Sequence, residues 1–341
     1  MNILLAAFGL IFVAGIINGS FALPTKHIKK WRFENIWLQY AAWAFVILPC
    51  VIAIFLVPQI ISVYKQAPVS LLVVMLLGGF VFGIGQMCFA LALDMIGFSL
   101  GFVINLGLGI MLGFSMPLII QHSDKVFTLF GGVTLVGCLL AVLGLIYSTH
   151  AGNIRHKGKV ERPDLAGKSR RLFIGGVLLA ILAGLSSAGQ NFAFSYTAEM
   201  QQMALSLGAT QFGAANVIWP GFLVCGFIPY ALYMIYLGVK NKSFGNYTKP
   251  GTGKYYLFGL VMGLFWYGSL IFYGKASQII GSLGPVVGWP LFMVLIILVS
   301  NFWGWRHGEW KGASIKAKHT LWLGLAFLIL SVLVLGYSAS L

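Results

Sequence analysis

Ten runs of apolar residues, each about 20 long, set the limits on what this chain can fold into. They fall at 2–23, 36–57, 70–93, 97–121, 127–148, 172–195, 212–237, 255–274, 283–303 and 320–338. A helix rising about 1.5 Å per residue needs that length to cross about 30 Å of hydrocarbon. Within lipid, only a helix or a closed barrel satisfies its own backbone polar groups. Most runs are apolar on every face, as expected for helices held between lipid and other helices. The sixth, seventh and eighth carry the most polar or aromatic interruptions. The fold class predicted is therefore an all-α polytopic membrane protein with ten transmembrane helices. Composition agrees: 59% of the 341 residues are apolar and 9% are charged. Soluble domains carry about a quarter charged residues, so an ordinary soluble enzyme and a disordered chain are both excluded. The first run lacks a basic leader and is too long for a signal-peptide core, so it reads as a span.

The net charge of +15 would suggest nucleic acid until the charges are located. Of the 22 Lys and Arg, 19 fall in alternate connections. Lys26, Lys29, Lys30 and Arg32 follow span 1, and Arg155, Lys157, Lys159, Arg162, Lys168, Arg170 and Arg171 follow span 5. Lys240, Lys242, Lys249 and Lys254 follow span 7, and Arg306, Lys311, Lys316 and Lys318 follow span 9. The other side holds only Lys65, Lys125 and Lys275. Basic connections stay cytoplasmic, so both termini are expected outside and no nucleic-acid partner is expected.

The longest polar segment divides the spans into five and five: 1–149 is a first half, 150–171 a basic cytoplasmic linker, and 172–341 a second half. A duplicated five-span unit must insert in opposite orientations, which is the inverted-repeat plan of many secondary transporters. Faint internal matches support a 5+5 repeat. Gly79 and Gly83 of span 3 stand against Gly259 and Gly263 of span 8, and Ala14-Gly15 of span 1 against Ala183-Gly184 of span 6. Both third-span equivalents then reach glycine turns, at Gly97–Gly101 and Gly281–Gly284. The plainer role of the 43 glycines is close helix approach through small-xxx-small spacing.

The seven acidic residues all lie in connections or at span ends, and no His-Asp or Cys-His grouping suggests an enzyme. Cys50, Cys88, Cys138 and Cys225 lie inside spans and read as small apolar packers, and the six histidines are scattered, so no metal site is expected. Chemistry inside the membrane falls to uncharged groups: Gln86, Asn105, Gln190 and Asn191, with Trp266, Tyr267 and Trp289, and beside them Asn18, Ser20, Asn216, Trp219 and Tyr273. A carboxamide both donates and accepts, which suits a hydroxyl, and an aromatic plate suits the C–H face of a sugar ring. Helix–helix glue and interfacial belts are the plainer roles for the same residues. Proton coupling would need a titratable group within reach. Asp94, at the basic-loop end of span 3, and Glu199, just past span 6, are the candidates, with Lys275 a possible ion-pair partner of Glu199.

At this point the chain resembles the L-rhamnose–proton symporter family, within the drug/metabolite transporter superfamily. The densest match is Phe21, Pro24, Lys26, Lys29-Lys30-Trp31, Glu34, Trp37 and Leu48-Pro49. Others are Gly83-Ile-Gly85 with Leu91, Gly97, Ser99, Gly101, Gly107 and Gly113; Ser187-Ala188-Gly189, Phe192-Ala193 and Leu207-Gly208; and Trp266-Tyr267, Phe272-Tyr273, Trp289 and Glu309-Trp310. The resemblance implies an inverted 5+5 arrangement, a path lined by spans 3, 4, 8 and 9, and proton-driven sugar uptake across a bacterial inner membrane. The chain departs from the family where Leu283-Gly284-Pro285 replaces a polar stretch with a carboxylate, where Gln201-Gln202 replaces a His-Glu pair, and where Gln86 replaces an Asn.

The function expected is import of a small neutral monosaccharide, L-rhamnose first, by proton symport with alternating access. Gln86, Asn105, Gln190, Asn191, Trp266, Tyr267 and Trp289 would hold the sugar, and Asp94 or Glu199 would couple the proton. The proton gradient is the energy source and no cofactor is expected; the partners are sugar, proton and lipid bilayer. A carrier or exporter of another small metabolite or drug, or an uncoupled sugar facilitator, is the alternative. Oligomeric state is not legible.

Overall fold

The computed structural model describes residues 2–157 and 170–341. The linker charges Lys159, Glu161, Arg162, Asp164 and Lys168, and the side chains of Asp94 and Lys157, lie outside the described residues. All ten expected spans form. They run Ile3–His27, Phe33–Leu56, Val69–Leu93, Leu100–Gln121, Leu129–Arg155, Arg170–Ser206, Gln211–Lys240, Gly253–Ile280, Gly284–Arg306 and Ile315–Ser338, numbered 1 to 10 below. No strand occurs among the described residues.

Glycines set the closest approaches. A Cβ on Gly79 would lie 1.9 Å from the Phe222 carbonyl oxygen, and one on Gly83 would lie 2.0 Å from that of Gly226. Spans 3 and 7 therefore touch backbone to backbone. At the corresponding contact between the halves, Gly259 and Gly263 of span 8 meet Gln39 and Trp43 of span 2. Gly15 of span 1 packs on Leu295 of span 9, while Gly184 of span 6 packs on Leu108 of span 4.

The neighbour relations exchange in the same way. Span 6 lies between spans 3 and 4, span 1 lies between spans 8 and 9, and spans 5 and 10 pack on each other. This pattern fits a duplicated unit inserted upside down. Both third-span equivalents end on a glycine that must adopt positive φ: Gly97 at 82° and Gly281 at 96°. Only glycine takes that conformation without strain, so each turn from span 3 to 4 and from span 8 to 9 depends on it.

Alternate connections gather at opposite ends of the bundle. At one end the span 1–2 connection binds the span 7–8 connection. Trp31 Nε1 donates to the Asn246 carbonyl at 3.0 Å, Asn35 Nδ2 to Ser243 at 3.1 Å, and Lys30 Nζ to Pro250 at 2.6 Å. There too Glu309 accepts from Lys26 at 3.3 Å and from Arg155 at 3.1 Å, with the Arg155 guanidinium over the Trp310 ring. At the other end two short helices outside the expected spans, Ile60–Gln66 and Ala198–Ser206, pack on each other.

Two of the expected apolar runs are interrupted within the run, and they are the corresponding ones of the two halves. Span 2 widens to a π turn at Ala42–Ile47, just before Pro49. Span 7 begins as Gln211–Ala214, turns over 215–218, and resumes as Trp219–Lys240. The Tyr64 hydroxyl bridges the second break, donating to the Val217 carbonyl at 2.7 Å and accepting from the Gly221 N–H at 3.2 Å. Pro49 and Pro220 bring no N–H to these ladders, which is why the helices open there. Interrupted helices at equivalent places in two halves are the best structural pointer to a transporter's binding region.

Candidate functional site

Around those breaks the interior divides into three levels. At the middle of span 8 the Trp266 ring lies 5.1 Å from Phe45 of the π turn and stacks on Phe82 of span 3 at 6.4 Å. Tyr40, Tyr230 and Phe222 complete this aromatic cluster, each touching one of its rings. Gln86 lies one helical turn from Phe82 on the same face of span 3, toward the basic-loop end. Tyr267 points the other way from its neighbour Trp266; it is fully buried, and its hydroxyl reaches Asn216 Oδ1 at 3.5 Å, at the break in span 7.

The second level lies on span 6. The Ser186, Gln190 and Ala193 positions share one face, and Ser186 and Ala193 touch Gly85 and Gly78 of span 3. Gln190 Nε2 is enclosed and has no protein partner. One turn beyond, Phe194 stacks on Trp219 with ring centroids 5.5 Å apart. Trp219 Nε1 is likewise enclosed without a partner. Among the described residues six buried side-chain polar atoms lack a partner, and these are the two N–H donors of the set; nearly all buried polar groups in folded proteins are paired.

The third level is a tie across four spans. Asn191, fully buried, donates from Nδ2 to the Gly113 carbonyl at 2.8 Å and to the Pro285 carbonyl at 2.9 Å, and its Oδ1 accepts from the Tyr273 hydroxyl. The Gly113 carbonyl is available because Pro117, four residues on, has no N–H to offer it. Trp289 Nε1 donates to the Gly109 carbonyl at 3.1 Å, and its ring sits in the notch at Gly113, 5.5 Å from the Tyr273 ring. Asn191 and Trp289 thus have their hydrogen bonding engaged within the protein, unlike Gln190.

The expected residues therefore do not form one cluster. Trp266, with Gln86 one turn from its partner Phe82, lies at the aromatic level. Gln190 faces span 3; Trp219 of span 7, which sequence ranked lower, carries the other unpartnered donor; and Asn191 and Trp289 lie in the tie with Tyr273. Asn105 is buried toward the basic-loop end of span 4, its backbone beside Gly184. Glu199 is exposed on the short helix Ala198–Ser206. Its expected pairing with Lys275 is corrected: Lys275 Nζ instead donates to Gln211 Oε1 at 3.1 Å, because the short helix carries Glu199 out to the surface.

The buried polar residues along the passage are amides and hydroxyls. Among the described residues the only buried charged side chain is Glu34, at the basic-loop end of span 2, where it accepts from Asn241 at 3.1 Å. An interior of this kind suits a neutral, hydrogen-bonding solute.

Ten spanning helices, two of them interrupted at corresponding places, are the architecture of a membrane carrier. A family model described as L-rhamnose-proton symport protein matches residues 2–340, and the chain belongs to that family. Similar curated proteins include the L-rhamnose-proton symporter of Pectobacterium atrosepticum, 26% identical over 95% of both chains. The L-rhamnose-proton symporter of Klebsiella pneumoniae is 28% identical over 93% of this chain and 92% of its own. That of Escherichia coli is 27% identical over the same shares.

Proposed function

We propose that this protein imports a small neutral monosaccharide, L-rhamnose first, in symport with protons across a bacterial inner membrane. The observation that carries the reading is the pair of enclosed, unpartnered donors, Gln190 Nε2 and Trp219 Nε1, within a family whose relatives are named for this sugar. A sugar hydroxyl or ring oxygen would satisfy such donors, and the Trp266 cluster, joined to Trp219 through Phe222, offers an apolar plate. Gln86, Asn105 and Tyr267 are proposed to complete the contacts, with Asn191 and Trp289 shaping the space through the tie. The halves, 1–149 and 172–341, would rock about this region so that it opens to one side at a time, with both termini outside.

Proton coupling is assigned to Asp94 or Glu199. If accumulation driven by a pH gradient survives replacement of both by amides, that assignment is dropped. The primary test is uptake of labelled L-rhamnose into proteoliposomes with and without an inward proton gradient. Accumulation only with the gradient supports symport, and equilibration without accumulation indicates a facilitator. No movement, in vesicles shown to be sealed, removes this sugar.

A further inference from the structure

Above the tie, at the end opposite the basic loops, lies a cavity of about 180 Å³. Pro285 and Phe194 line it, and both also belong to the level below: the Pro285 carbonyl accepts from Asn191, and Phe194 stacks on Trp219. Its polar wall includes Gln121 at the end of span 4, Ser195 of span 6, Gln201 of the short helix, and Gln278 of span 8. No Asp, Glu, Lys or Arg lines it; His122 does, with Nε2 3.1 Å from the Ser282 carbonyl oxygen.

The internal bonds of this wall leave defined groups unspent. Gln278 Nε2 donates to Gln201 Oε1 at 2.9 Å, which holds the Gln278 carboxamide in place. Gln278 Oε1 is enclosed and has no partner. Gln121 Oε1 accepts from Ser195 at 2.5 Å, which leaves the donor Nε2 of this lining residue without a bond. A cluster serving only to hold helices together would close its own bonds. This wall instead holds an acceptor and a donor without partners, a pattern that hydroxyl groups match in both directions.

We propose that this cavity is a second sugar site: an outer station, separate from the central one, that takes a neutral polyhydroxylated ring while the tie beneath it is closed. It rests on the transport reading above. Solute from that side would be held by Gln278 and Gln121 until the Asn191–Tyr273–Trp289 tie releases, so these residues set apparent affinity on one face of the membrane only.

The test measures half-saturation for L-rhamnose in right-side-out and inverted membrane vesicles from a host lacking its own rhamnose carrier. Gln278→Leu is expected to raise the half-saturation concentration about fivefold to tenfold on the face opposite the basic loops, the size of effect of one lost buried hydrogen bond. On the other face the change should stay within about twofold on the same scale. Gln121→Leu, from the opposite wall, should repeat the asymmetry and guards against a folding defect in the first variant. An equal change on both faces, or none in either variant, overturns the outer station while leaving the transport reading intact. If the unaltered protein moves no L-rhamnose, the transport reading falls. The station is then judged by equilibrium binding of neutral hexoses and of an anionic sugar acid in nanodiscs. Neutral-sugar binding abolished by Gln278→Leu upholds it, and no such binding overturns it.

Discussion

Asn191 shows what one residue does in this bundle. Hydrogen bonds between membrane helices average only about 0.6 kcal/mol, because the separated helices also find partners. Asn191 holds three at once, and one acceptor is a carbonyl orphaned by Pro117. Replacing it with Leu leaves the Gly113 carbonyl and the Tyr273 hydroxyl buried without that partner, at about 1–3 kcal/mol for each unsatisfied group. Asn191→Leu is expected to lower the thermal midpoint in detergent by several degrees. Gln190→Leu, which removes an already unpartnered donor, should hold or raise the midpoint while weakening sugar uptake. Equal loss of stability in both would show that Gln190 is structural. Glu309 gives a pH prediction. Burial raises its carboxyl pKa, but the hydrogen bonds from Arg155 and Lys26 outweigh this and hold it below the ordinary carboxylate value. A depressed folded pKa contributes stability that is present above the unfolded value, about 4.3, and is lost as pH falls through the folded value. The group is 42% exposed, so screening limits the contribution to less than about 1 kcal/mol. Stability of the protein and of Glu309→Gln should differ by a constant amount from pH 8 to pH 5 and converge only in more acid solution. Convergence near pH 6 would mean that the Glu309 carboxylate does not set the pH dependence of this contact with Lys26 and Arg155.

At the scale of elements, the ten helices were legible because hydrocarbon thickness forces a minimum apolar length. Their interruptions were not. The π turn of span 2 is as apolar as its surroundings, the break of span 7 adds only Asn216, and Pro49, Pro220 and Pro229 can each sit inside a membrane helix without breaking it. The short helices Ile60–Gln66 and Ala198–Ser206 were also missed, since neither is long enough to carry a periodic signal. The role of the glycines was readable in kind and not in place. Gly83→Ala puts a Cβ 2.0 Å from the Gly226 carbonyl oxygen and must push two backbones apart, at a cost above the roughly 1–3 kcal/mol typical of overpacking. Gly132→Ala meets nothing within 4 Å and should gain about 0.5–1 kcal/mol of helix preference. Folded yield by size-exclusion chromatography checks both: the first variant should be lost and the second should match or exceed the parent.

At the scale of the whole molecule, sidedness and exchange of halves are linked. The loops rich in Lys and Arg meet at one end and the remaining loops at the other, so a single experiment orients all ten spans. With Cys50, Cys88, Cys138 and Cys225 replaced by Ala, a cysteine appended after Leu341 is expected to react with a membrane-impermeant thiol reagent added to intact cells. One placed at Lys249 should react only after lysis. The reverse pattern would invert the topology and, with it, the face on which Gln278→Leu acts.

The sequence by itself determined the solvent, the number of spans, the alternation of charged loops and the neutral, amide-and-aromatic character of the interior. Those follow from local composition, since each run must match the bilayer and each loop must meet water. Which amides are free was decided only by tertiary structure. Gln190 and Asn191 are neighbours in sequence, but a helix turns about 100° between them. One therefore faces span 3 with a donor unspent, while the other faces span 4 and is consumed by carbonyls from spans 4 and 9. The outer glutamines illustrate the same limit: Gln121, Gln201 and Gln278 are far apart in the chain, and a polar residue near a span end looks like any interfacial residue until three helices bring it to a common wall.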